Sequence, residues 1–168
     1  NEVADFLATL GLTPANYNGG GQIVAAGSVD GIAKLQAEPM AGTRVIPLQV
    51  AGAFHTKYMA PAVSALGEYA QGVEVSDPGV TIWSNRDGVA VDSGAEFLSS
   101  LVSQVSNPVR WDLCMEAMVA AGVTGLIELS PAGTLAGLAK RGMPGVETLA
   151  LKSPDQIDAA IELAKNHG

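Results

Sequence analysis

A single cysteine, Cys114, stands in a chain of 168 residues, so no internal disulfide can form, and no Cys/His grouping has the spacing of a metal site. Basic residues are also scarce. Nine Lys and Arg face 17 Asp and Glu, and the formal net charge of −8 argues against an extended nucleic-acid or anionic-membrane surface, leaving room for a local basic patch only. No run approaches the roughly 18 apolar residues of a membrane helix. The stretch from Asn1 to Leu10 is charged and amphipathic, without the apolar centre of a secretory signal. These absences point to a protein of the reducing cytoplasm, with no nucleic acid and no membrane among its partners. Two glycine signatures are missing as well. No Gly-Lys-Ser/Thr follows Gly19-Gly20-Gly21, so that turn is not a phosphate loop, and Gly-x-Ser-x-Gly, the elbow of a nucleophilic serine, occurs nowhere.

What is present suits a packed globular domain: 48% of residues are hydrophobic and only 15% are charged. Val3, Phe6, Leu7 and Leu10 recur at helical spacing before Gly11, which predicts a helix over residues 2–10. Thr13 to Asn18 is extended, the three glycines turn the chain, and residues 22–26 form a short apolar strand, giving a hairpin. Ser28 or Asp30 caps a helix carrying Ile32 and Leu35, and residues 44–48 return as a strand.

Beyond this point the pattern alternates. Helices are predicted over 61–71, 95–105, 111–121, 134–141 and 154–165, the last opened by Ser153, and strands over 80–84, 124–129 and 147–151. Alternation of this kind favours a parallel sheet covered by helices. Three short strands are few for so many helices, and the chain begins with Asn1 inside a helical pattern rather than with Met. Both observations suggest a piece of a longer protein. A boundary falls near residues 49–52.

Three places could carry chemistry. His55 follows the small residues Ala51, Gly52 and Ala53 between a strand and a helix, where α/β enzymes often place a general base, although most histidines do no catalysis. Asn107-Pro108 breaks the chain between two helices and frees carbonyl groups, one of which could accept Nδ1–H of a histidine; on local grounds an ordinary helix break is the favoured reading. Glu128 to Leu135 runs from a strand through a tight turn into a helix, whose amides could bind an anion or simply close a turn. Cys114, on an apolar face with Met115 and Met118, reads as a buried structural thiol, and the penultimate His167 as a frayed end.

Five ordered segments carry a specific likeness: Asn16-Tyr17-Asn18 with Gly21-Gln22-Ile23-Val24-Ala25-Ala26-Gly27; Gly52-Ala53-Phe54-His55; Ser84-Asn85; Asn107-Pro108-Val109-Arg110-Trp111; and Glu128 to Leu135 followed by Lys140-Arg141. From end to end the chain resembles the C-terminal half of the bacterial malonyl-CoA:acyl carrier protein transacylases, and more distantly the acyltransferase domains of polyketide synthases. The resemblance implies an α/β fold: residues 1–50 as part of a ferredoxin-like subdomain, and 51–168 as the C-terminal part of a larger α/β-hydrolase-like parallel sheet with helices. It implies malonyl transfer from malonyl-CoA to acyl carrier protein through an acyl-serine, without a cofactor.

It also implies site residues. His55 is the base, Gln104 supplies the carbonyl that orients it, and Asn18 and Gln22 line the substrate cleft. For an acidic carrier protein, the candidate docking cations are Lys57, Arg86, Arg110, Lys140 and Arg141. The family's serine, its carboxylate-binding arginine and its oxyanion-hole segment precede the matched region, so the implied partner is the N-terminal half of the same enzyme, and this chain alone is expected to be inactive. The alternatives are a non-catalytic module that binds acyl-CoA or a carrier protein, and a piece of an α/β-hydrolase.

Overall fold

The computed structural model describes residues 2–168. The first helix, α1 (Glu2–Thr9), ends at Gly11, whose φ of 69° is the left-handed conformation that glycine adopts without a side-chain clash. Leu7 of this helix packs with Leu12 and Leu35, and Val3, Phe6, Ile23, Ile32 and Val45 close around them. Strands β1 (Thr13–Tyr17) and β2 (Ile23–Ala26) form the antiparallel hairpin, with a register shift between Pro14 and Asn16 where proline offers no amide to the ladder. Helix α2 (Val29–Ala37) is capped by Ser28, whose Oγ accepts the Gly31 amide at 3.1 Å, so of the two possible caps serine is the one used.

The strand predicted over 44–48 does not form. Its apolar pattern is real: Val45 reaches the first core, while Ile46 and Leu48 remain 59% and 58% exposed. A strand needs a hydrogen-bonded neighbour as well as a pattern, and this segment has none among the described residues, with Pro47 removing one donor outright.

A short 3-10 turn (Lys57–Met59) leads into α3 (Ala60–Ala70), which packs against α4 (Gly94–Gln104). Between these helices, the strand expected over 80–84 shrinks to β3 (Ile82–Trp83), paired with β4 (Ala90–Val91). Strand β5 (Val109–Arg110) lies parallel to β1, with Asn16 opposite Val109 and Tyr17 opposite Arg110, so that the sheet order is β2-β1-β5. Neither β4 nor β5 was legible beforehand, because two residues carry no periodicity. Helix α5 (Trp111–Ala120) follows directly.

The C-terminal part is a parallel pair covered by helices: β6 (Gly125–Leu129) runs beside β7 (Glu147–Leu151) in register from Gly125–Glu147 to Leu129–Leu151, connected by α6 (Thr134–Gly142). The second core joins Met115 of α5 to Leu138, Ala139 and Met143, with Trp111, Met118, Leu126 and Val146 around it. The last predicted helix divides into a 3-10 turn (Pro154–Gln156) and α7 (Ile157–His167), and Ser153 precedes the turn without a capping bond from its side chain. Nor does His167 fray. Its Nδ1 lies 2.9 Å from the Thr124 hydroxyl and its Nε2 3.0 Å from the Glu147 carboxylate, which pins α7 to the start of both parallel strands.

Candidate active site

The segment before α3 places His55. Thr56 is buried, and its hydroxyl donates to the Ala53 carbonyl at 2.7 Å while accepting the Tyr58 amide at 3.3 Å, which fixes the loop on one side of the histidine. On the other side His55 itself holds φ of 62°, the one described residue other than glycine in that region. This backbone is anchored by the His55 amide, which donates to the Val105 carbonyl at 3.0 Å.

The ring is anchored one residue earlier. His55 Nδ1 lies 2.9 Å from the Gln104 carbonyl oxygen. A carbonyl only accepts, so Nδ1 carries a proton, and in the neutral ring it is then Nε2 that holds the free lone pair. Gln104 is free to accept because the residue four positions on is Pro108, which has no amide; the Gln104 carbonyl otherwise receives only the Asn107 amide, at 3.2 Å. Two consecutive carbonyls at the end of α4 thus grip one residue that is remote in the sequence.

Asn18 and Gln22 flank the glycine turn, where the Asn18 amide donates to the Gln22 carbonyl at 2.9 Å. The Gln22 side chain is engaged by Arg141, whose Nη2 donates to its Oε1 at 2.8 Å. Of the five candidate cations, Lys57 is exposed beside His55, with its ammonium 5.9 Å from the Tyr58 ring centre. Arg86 is bonded to Asp87 at 2.8 Å and faces Glu96 at 3.7 Å. Arg110 makes a two-pronged bond with Asp112 at 2.9 and 2.8 Å and stacks over Tyr17 at 4.8 Å. Lys140 and Arg141 are exposed in the last turn of α6.

Sequence reasoning missed one strong feature. Glu128, 8% exposed, collects three amides: Gly133 at 2.7 Å, Leu135 at 2.9 Å and Ala136 at 2.9 Å. Burial pushes this carboxyl's pKa up, but the amides of Ala136, Leu135 and Gly133, together with nearby Lys152, outweigh burial and hold it below the usual range. The amides at the start of α6 are thereby satisfied from within the chain. The signal was a lone acid in an apolar strand, followed five residues later by glycine. Cys114 is buried, its thiol donating to the Ser84 carbonyl at 3.3 Å, and burial with Asp112 and Asp87 nearby pushes its pKa up to about 11. Among the described residues no group of three or more His, Cys, Asp or Glu is arranged to hold a metal, and no helix is long and apolar enough to cross a membrane.

A separate groove of about 260 Å³ is lined by Trp83, Trp111, Met118, Leu126 and Leu135, among others. None of the residues gripping His55 lines it. The Trp111 indole N–H is buried with no partner among the described residues.

No family model matches the chain. Individual relatives do: the malonyl CoA-acyl carrier protein transacylase of Mycobacterium tuberculosis is 48% identical over 162 residues, spanning 96% of this chain and 54% of that protein. The enzyme of the same name from Mycolicibacterium smegmatis is 46% identical over 166 residues, spanning 96% of this chain and 57% of the relative. The crystal structure of MCAT from Mycobacterium tuberculosis superposes with a TM-score of 0.90 at 48% identity, over 94% of this chain and 52% of that one.

The chain belongs to the malonyl-CoA:acyl carrier protein transacylase family, matching its C-terminal half. It spans about half the length of the curated transacylases it matches. The mixed α/β architecture is that of transacylases with an α/β-hydrolase-like core and a ferredoxin-like subdomain. One solved transacylase, 29% identical with a TM-score of 0.86 over 96% of this chain and 55% of that one, is a malonyl-transacylase in complex with a type II PKS acyl-carrier protein.

Proposed function

We propose that this chain contributes the general base of a cytoplasmic malonyl-CoA:acyl carrier protein transacylase, and that the N-terminal half of the same enzyme contributes the nucleophilic serine. The observation that carries the reading is the His55 ring held by a main-chain acceptor at 2.9 Å, which leaves Nε2 able to take a proton. In the first half-reaction the serine Oγ attacks the malonyl thioester as its proton passes to Nε2. Collapse of the tetrahedral adduct expels the coenzyme A sulfur, which leaves with that proton. In the second, the carrier protein's phosphopantetheine thiol gives its proton to Nε2 and attacks the acyl-serine, and the serine oxygen recovers the proton on leaving.

Residues 1–50 are then part of the ferredoxin-like subdomain and 51–168 part of the larger domain, with Asn18 and Gln22 facing the cleft between them. Lys57, exposed beside His55, is better supported as a docking cation than Arg86 or Arg110, which already have carboxylate partners at 2.8 Å. The unpartnered indole of Trp111, and exposed apolar side chains such as Leu129 at 70%, support an extensive contact with the N-terminal half.

Replacing His55 by Ala in the full-length enzyme should lower malonyl transfer by about 10²–10⁴-fold, measured as formation of malonylated carrier protein. Near-normal transfer would remove the assignment. The second reading, a module that holds acyl-CoA or carrier protein without chemistry, differs in requiring that no elbow serine stand anywhere in the full-length protein. A parent protein of relatives' length with no upstream elbow serine, binding carrier protein but forming no acyl-enzyme, would favour it.

A further inference from the structure

While the Gln104 main chain faces His55, its side chain turns to the loop that follows. Nε2 donates to the carbonyl oxygens of Asn107 at 2.8 Å and Pro108 at 3.0 Å, using both of its protons. The Asn107 side chain answers in the opposite direction, donating from Nδ2 to the Ser103 carbonyl at 2.7 Å. Three side-chain bonds therefore tie the loop at 105–108 to the last turn of α4, where Pro108 has withdrawn the amide that would have continued the helix.

We propose that the Gln104 side chain is a positioning residue for the base: it holds this loop so that the Gln104 and Val105 carbonyls stay turned toward His55, fixing the ring in its Nδ1–H tautomer. The proposal rests on the reading of His55 as the base, and it adds a side-chain role to a residue otherwise given only a main-chain one.

The physical reasoning concerns competition for one oxygen. Near the end of α4 the Gln104 carbonyl has two donors, the Asn107 amide at 3.2 Å and the ring at 2.9 Å. With the side-chain amide removed, the Asn107 and Pro108 carbonyls lose their donor, and the loop is free to rotate the neighbouring peptide planes. Water can then satisfy the Gln104 carbonyl in place of the ring. A histidine protonated on Nε2 instead of Nδ1 cannot accept a proton there, and trapping a triad histidine in the wrong tautomer costs about 10⁴-fold in a serine protease. Partial loss of orientation here should cost less, about 10- to 100-fold in kcat, with KM for malonyl-CoA unchanged.

The test is made in the full-length enzyme with two variants of similar length. Gln104→Met removes the donors, whereas in Gln104→Lys an ammonium still reaches the two carbonyls. Nitrogen NMR of histidine-labelled protein reads the tautomer of His55 directly, independently of turnover. Gln104→Met should shift His55 from the Nδ1–H form toward a mixture and lower kcat, and Gln104→Lys should recover most of both. Pro108→Ala approaches the same oxygen from the other side by restoring an amide that competes with the ring, and it should also weaken the Nδ1–H form; it serves where Gln104→Met does not fold. A folded Gln104→Met or Pro108→Ala protein with wild-type tautomer and kcat would overturn the proposal. So would Gln104→Met and Gln104→Lys behaving alike. Failure of the underlying reading looks different: His55→Ala would then keep its activity whatever the tautomer experiment shows.

Discussion

Removing the Glu128 carboxylate is the most demanding test of the fold. In Glu128→Ala the amides of Gly133, Leu135 and Ala136 lose an acceptor that now sits 2.7–2.9 Å from each. Hydrogen bonds to a charged group contribute about 1.5–3 kcal/mol each. Ala136 is 5% exposed, so its amide finds no replacement, while Gly133 and Leu135 are open enough for water to recover part of the loss. The expected cost is therefore about 3–5 kcal/mol, a large share of the roughly 5–15 kcal/mol that stabilises a typical domain. Denaturant unfolding of the full-length protein, followed by circular dichroism, measures it.

Glu128→Gln separates charge from shape, because one oxygen remains and the other position becomes a donor that opposes an amide. It should also alter the response to acid. The folded carboxyl titrates below its unfolded value, so its contribution is complete above the unfolded pKa of about 4.3 and disappears as pH falls through the lower folded value. Between the unfolded and folded values the wild type should lose stability that the glutamine variant never had. A loss under about 1 kcal/mol in Glu128→Ala, or identical acid dependence in Glu128→Gln, would refute the role of the three bonds.

Other outcomes follow from the same structure. Cys114, with its thiol pushed up to about 11, should resist iodoacetamide at pH 8 in the folded protein and react on unfolding; stoichiometric labelling of the native state would contradict its burial. Lys57→Glu should raise KM for carrier protein at low salt more than Arg86→Glu does, because Asp87 and Glu96 already face Arg86, and should leave KM for malonyl-CoA unchanged; equal effects would count against Lys57 as the main docking cation. The isolated 168-residue chain, which exposes Val50, Tyr69, Val80 and Leu129 at 70% or more, should self-associate in sedimentation experiments, and a cooperatively melting monomer would show that its core is sufficient.

Much of this architecture was legible from residues alone, for identifiable reasons. The strands β6 and β7 were readable because each is a short, mostly apolar run set between helical patterns, β6 despite the acid Glu128 within it. Helix α2 announced itself through Ser28. The segment 44–48 misled because a pattern says which face is apolar and nothing about whether a neighbouring strand exists. At the site, Pro108 marked a carbonyl with no amide to receive, a deduction available without coordinates. The glutamine side chain that steadies that carbonyl was not legible, since its partners are main-chain oxygens that any sequence possesses. Arg110 looked like a free cation because its partners depend on local geometry and on the fold: Asp112, two residues on, meets it at the start of α5, and Tyr17 comes under it only once β1 and β5 are side by side.

The left-handed backbone of His55, at φ of 62°, sets two kinds of selection against each other at one position. A β-carbon in that conformation costs about 1–2 kcal/mol, which glycine escapes and asparagine tolerates better than most. Selection for stability alone would therefore drift toward glycine or asparagine at this position, and on the reading of His55 as the base it is the demand for a proton acceptor that opposes this drift. It also decides which substitution reports chemistry cleanly: His55→Asn keeps a residue suited to the backbone while deleting the base, whereas alanine removes the ring and retains the strain.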